Sequence, residues 1–167
     1  MFYTLETQKR SINGEWLMEL REVINEIGPL DVNFWLLQDI DQSGGYTFDI
    51  DYEDFAERTL SNPKGFVVSP DKFQIYYNSS MSLLDGTFIA INSCIEKKPL
   101  LVLEAFDASI WHVATTNALL INKLIKIGWE KSLYFPRIRG VVVQDCPCSA
   151  NVRMAKNDGE EAETGEK

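Results

Sequence analysis

LLVLEAFDASIWHVATTNALLINKLIKI, Leu100 to Ile127, is the stretch on which the fold class turns. Leu100 to Phe106 and Ile110 to Thr115 are two runs of strand length, rich in Leu, Ile, Val, Phe and Trp. The connection between them, Asp107-Ala108-Ser109, is short enough only for a hairpin, so the two strands run antiparallel. Thr116-Asn117 then opens a helix. Asn117 supplies the capping oxygen, Leu119, Leu120, Leu124 and Ile127 recur at helical spacing, and Gly128 ends the segment.

Upstream, residues 1–6 read as an opening strand. Ser11 to Gly14 reads as a helix start with Asn13 as cap, and Trp16, Leu17, Leu20, Val23, Ile24 and Ile27 form one apolar stripe up to the Gly28-Pro29 stop. Phe34 to Leu37 reads as a buried strand that enters an Asp/Gly/Ser loop, Asp41 to Gly45. Tyr46, Phe48 and Ile50 alternate with Thr47 and Asp49, the period of a strand, and a short helix follows from Tyr52 to Leu60. Phe66 to Val68, Phe73 to Tyr77 and Thr87 to Ile91 read as strands, separated by turn residues at Ser69-Pro70-Asp71, Asn78-Ser79-Ser80 and Asp85-Gly86. Val141 to Val143 reads as a last strand. No crossover helix lies between successive strands, so the pattern predicts an α+β fold: a single antiparallel-dominated sheet with two or three helices packed on one face. The domain is expected to span residues 1–145. Residues 146–167, with almost no large apolar side chains, are expected to form a disordered polar tail.

The chain has 167 residues, 45% hydrophobic and 25% charged, a composition that supports one globular core without disulfide staples. No apolar run reaches the roughly 18 residues that span a bilayer. MFYTLETQKR has no basic region leading into an apolar stretch, unlike a secretory signal. The three cysteines, Cys94, Cys146 and Cys148, are an odd, sparse set that suits a reducing, cytoplasmic setting. A formal net charge of −9 disfavours nucleic acid and anionic membrane as partners and leaves a cationic protein open. That charge is uneven: Asp31, Asp39, Asp41, Asp49, Asp51, Glu53, Asp54 and Glu57 fall within one stretch without Lys or Arg. Lys123 to Arg139 leans the other way.

Motifs for chemistry are sparse. Asp39-Ile40-Asp41-Gln42-Ser43-Gly44 opens like a calcium loop, but its twelfth position is Ile50 where a bidentate Glu is needed, so it reads as an Asx-rich turn. Cys146-Pro147-Cys148 offers two thiolates, short of the four ligands of a structural zinc site; Cys94 and His112 are the other soft ligands. His112 is the single histidine and reads as a packed or surface strand residue. There is no G-x-S-x-G elbow, no Walker loop and no G-x-G-x-x-G turn. No catalytic residue, metal site or cofactor is therefore assigned.

The strand, the Phe106-Asp107-x-Ser109-x-Trp111 turn, the second strand and the Asn117-capped helix resemble small bacterial immunity-type proteins, which neutralise secreted toxins. The resemblance covers about a sixth of the chain. It implies a non-enzymatic inhibitor that blocks a cationic protein, with Asp39, Asp41, Asp49, Asp51 and Asp54 as partner-binding residues. The alternatives are a small carboxylate- or metal-dependent enzyme, or a regulatory subunit.

Overall fold

A computed structural model describes residues 2–10, 18–62, 65–79, 81–92, 99–136 and 138–139. The Asn13 cap, Trp16, Leu17, the strand at Val141 to Val143, the three cysteines and the tail from residue 146 lie outside the described residues.

Among the described residues there are seven strands and four α-helices, and the seven strands form one sheet: β1 (Tyr3–Thr7), β2 (Phe34–Gly44), β3 (Phe66–Val68), β4 (Met81–Ile91), β5 (Pro99–Phe106), β6 (Ile110–Thr115) and β7 (Glu130–Ser132). Their order is β3-β2-β4-β5-β6-β1-β7, and every pairing is antiparallel. The four α-helices are α1 (Leu20–Ile27), α2 (Tyr52–Ala56), α3 (Pro70–Asn78) and α4 (Ala118–Lys126); a π-helical turn, Glu57–Ser61, continues α2. The chain is an α+β protein built on a single antiparallel sheet.

All four helices pack on one face. Val23 and Ile27 of α1, Phe55 of α2, Phe73 and Tyr76 of α3 and Leu124 of α4 share a core with Leu5, Trp35, Leu37, Phe88, Leu103 and Val113 from the sheet. Trp35 stacks on Phe73 with ring centroids 4.1 Å apart. Trp111 and Trp129, only 1% and 2% exposed, are core residues whose indole N–H groups donate to the Met18 carbonyl and the Glu26 carboxylate. The opposite face carries a smaller cluster, with Phe34, Leu36, Ile89, Ile91, Val102 and Ala114.

The hairpin and the Asn117 cap stand as read: Phe106 pairs with Ile110, and the Asn117 side chain accepts from the N–H groups of Leu119 and Leu120. Several local readings are corrected. Phe73 to Tyr77 is helical, not extended. Ser69 caps α3 by accepting from the Lys72 N–H, and Pro70 holds the first helical position, so Ser69-Pro70-Asp71 is a helix start and not a turn. Asp41 to Gly44 is strand, not loop, because Gln42 buries its amide and accepts from the Tyr76 hydroxyl. Asp85-Gly86 lies inside β4; a Cβ on Gly86 would sit 2.9 Å from Ile40 Cδ1, so this glycine marks a close approach. Tyr46 to Ile50 is a turn, with Phe48 and Asp49 at φ 60° and 64°, and the alternation there serves an aromatic cluster in which Phe48 stacks on Tyr76. Leu119, assigned to the packing face of α4, is 83% exposed, and Ile127 is 40% exposed; Leu120 and Leu124 carry the packing.

Candidate functional site

The five predicted contact residues fall into two groups. Asp39 and Asp41 lie on β2, Asp39 inside the irregularity between Gln38 and Asp41 and Asp41 between that one and a second, where the register with β4 shifts. Asp49, Asp51 and Asp54 belong to the turn before α2 and to its first turn. Three of the five have intramolecular work. Asp39 Oδ1 lies 2.6 Å from Arg139 Nη2. Asp49 accepts from the Tyr46 hydroxyl at 3.0 Å; desolvation first, and then this bond and the Asp49 charge, hold the Tyr46 pKa above its ordinary value. Asp51 caps α2 by accepting from the Asp54 N–H at 2.9 Å. Asp41, Asp49, Asp51 and Asp54 are exposed.

The sheet adds carboxylates that the linear stretch did not include. Asp41 stands directly opposite Asp85 on β4, and Asp85 Oδ1 accepts from the backbone N–H of Asp107 at 2.8 Å. Asp41 and Asp85 therefore face each other across β2 and β4, with the backbone of Asp107 against Asp85. Like charges facing each other across a strand pair destabilise it, so this corner is a liability within the fold and an asset only toward an external cation.

A second constellation crosses the face opposite the helices. Gln38, Thr87, Glu104, His112, Glu6 and Glu130 are register partners in succession across β2, β4, β5, β6, β1 and β7. Partners in register share a face, so the six make one polar row beside the apolar row of Leu36, Ile89, Val102 and Ala114. Its middle is buried: Gln38, Thr87, Glu104 and His112 are at most 6% exposed. His112 Nδ1 lies 3.4 Å from Glu104 Oε2, and Nε2 lies 3.7 Å from Glu6 Oε2. Tyr134 covers the pair, its ring 4.4 Å from the imidazole and its hydroxyl donating to Glu104 Oε1 at 3.1 Å.

The two carboxylates address opposite nitrogens of one ring, so they do not converge on a shared metal position. Among the described residues no three His, Cys, Asp or Glu side chains are placed to hold a metal ion. Glu104 Oε2 and His112 Nδ1 are buried without a hydrogen-bond partner. With Tyr134 over them, they form a covered polar seam. On the helix side a largely apolar groove of about 370 Å³ opens between Met18, Leu20, Tyr77, Leu83 and Trp111.

The row was not read from the sequence. Its signal was present: Glu104 is the one polar residue inside LLVLEAF and His112 the one titratable residue inside IWHVAT, each two positions from a residue of the second face's apolar cluster, Val102 and Ala114. No family model matches the chain, and no curated protein or solved structure matches it either. Among the described residues, no helix is long and apolar enough to cross a membrane.

Proposed function

We propose that this chain is a non-enzymatic binding protein that blocks a cationic protein partner, in the manner of an immunity-type inhibitor, through an acidic surface. The supporting observation is the Asp41–Asp85 pair with Asp107 beside it, a set of like charges across two strands. Asp49, Asp51 and Asp54 extend the acidic character onto the start of α2. The stretch from Asp31 to Glu57 contains no Lys or Arg, so its own residues offer no neutralising cation. An acidic face of this kind accelerates encounter with a basic surface and aligns it on docking.

The test compares the unmodified chain with Asp41→Lys/Asp54→Lys, both presented to lysate of the native source at low and at high salt. A stoichiometric basic protein that binds the unmodified chain, weakens at high salt and associates at least tenfold more slowly with the variant supports the reading. Equal association of both chains removes the acidic surface from the account.

A further inference from the structure

After β7 the chain crosses the second face of the sheet, from Tyr134 above Glu104 and His112 to Arg139 above β2. Pro136 is buried on the way, and Ile138 packs against the apolar cluster of that face. The far end of this strap is gripped at every polar group of one residue. Gln38 Oε1 accepts from the Arg139 N–H at 3.3 Å, and Gln38 Nε2 donates to the Arg139 carbonyl at 3.2 Å. The guanidinium is held at two points: Nη2 lies 2.6 Å from Asp39 Oδ1, and Nη1 donates to the Leu60 carbonyl at 3.0 Å.

A carboxamide that pairs with both the N–H and the C=O of one residue does what a neighbouring strand does when it takes up a peptide. A carboxylate and a carbonyl set against two nitrogens of one planar group match the fork of arginine, whereas lysine presents a single point charge. Consecutive strand residues normally point to opposite faces. Here the bulge after Gln38 and the left-handed backbone of Asp39, φ 53°, let two adjacent side chains serve the same ligand residue.

We propose that Gln38, Asp39 and the Leu60 carbonyl form a receptor for an arginine-bearing segment of a protein partner, and that Arg139 is its internal occupant. The side chain of Arg139 is 48% exposed, so its fork is reachable from solvent and a second arginine can exchange with it. Gln38, fully buried, remains in place as the reader of the incoming backbone. The strap thereby sets a threshold for binding: a partner must present both an arginine and a free peptide backbone to displace it. This deepens the reading of the chain as a binder of a cationic partner and rests on it, but its test requires no partner.

The probe is N-acetyl-Ile-Arg-amide, titrated into the full chain and into Arg139→Ala. Calorimetry gives the affinity, and the Gln38 side-chain amide resonances give the site. Arg139→Ala is expected to bind the probe at least tenfold more tightly than the unmodified chain, and N-acetyl-Ile-Lys-amide at least tenfold more weakly than the arginine probe. Adding Asp39→Asn to Arg139→Ala is expected to abolish that preference. Arg139→Gln, which keeps the stem and removes the fork, serves as the second fork-less variant; both variants keep the backbone N–H and C=O that pair with Gln38, so the expected gain is that of removing the competing fork alone, and thermal unfolding establishes that each variant is folded. Equal affinity of the unmodified chain and both fork-less variants, or equal affinity for arginine and lysine probes, overturns the proposal. If a cationic partner is captured while the fork-less variants ignore the probe, the cradle is wrong and the acidic surface stands. Probe binding without a captured partner supports the cradle alone.

Discussion

Replacing His112 by leucine strips the polar seam of the one group that faces two carboxylates. Glu104, its side chain 8% exposed, then keeps only the Tyr134 hydroxyl, and its Oε2 faces hydrocarbon. Removing one member of a buried polar pair costs up to about 3 kcal/mol, because the other is left buried without its polar neighbour. Glu104→Leu costs a similar amount, roughly 3 kcal/mol, since it removes the acceptor of Tyr134 and leaves the buried imidazole with the more distant Glu6. The double variant removes both members at once. What remains is the loss of the hydrogen bond from the Tyr134 hydroxyl to Glu104, worth about 1 kcal/mol. Independent effects would sum to about 6 kcal/mol, so the expected coupling is several kcal/mol, well beyond the ~0.5 kcal/mol within which unconnected sites add. Urea unfolding at fixed pH and unchanged m value measures all three variants. In thermal unfolding each single change should lower Tm by about 6–12 °C for a chain of this size, and the double change by about 2–4 °C. A double variant as unstable as the sum of the singles refutes the idea that Glu104 and His112 compensate each other beneath Tyr134.

Two further outcomes follow from other parts of the fold. Ala108 closes the β5–β6 hairpin at φ 45°, where an L side chain is strained and glycine is not; Ala108→Gly should stabilise the protein by about 0.5–1 kcal/mol in urea unfolding, and a loss of stability would contradict the turn geometry. Burial pushes the Tyr76 pKa upward, with the Tyr52 charge adding to it, so the folded state holds this proton more tightly than the unfolded chain. A raised folded value means that its stabilisation is complete below about pH 10 and fades as the pH climbs above that, at up to about 1.4 kcal/mol per unit. Tyr76→Phe should flatten this alkaline loss, and an unchanged slope between pH 10 and 11 would remove Tyr76 as its source.

The hairpin and α4 were legible because their information is local: two apolar runs, a three-residue connection and one asparagine cap. The same local signal existed at Ser69-Pro70 and was misassigned, since Ser before Pro marks a turn as readily as a helix start and Phe73, Tyr76 and Tyr77 suit either period. The true extent of β2 was hidden because Gln42 is polar; the Tyr76 hydroxyl, 34 residues away, and the Gly44 carbonyl together make its burial tolerable. β7 has no apolar alternation and exists because β1 offers it an edge. The site shows the same division. The acidic stretch is visible in sequence, whereas the pairing of Asp41 with Asp85, the polar row and the grip on Arg139 depend on register between distant strands.

The place of β1 also bears on the order in which the protein is made. β1 leaves the ribosome before the other six strands, yet it sits between β6 and β7, with Leu5 opposite Val113 on one side and Lys131 on the other. At roughly 5–20 residues per second, the ~100 residues that separate β1 from β6 take about 5–20 s to synthesise. Throughout that interval the first strand has no partner, and β2 to β5 can pair with one another but cannot close the sheet around it. Completion of this sheet is therefore tied to the arrival of β6 and β7, and a nascent chain halted before residue 110 carries an unpaired strand that a chaperone, or a second such chain, is free to take up.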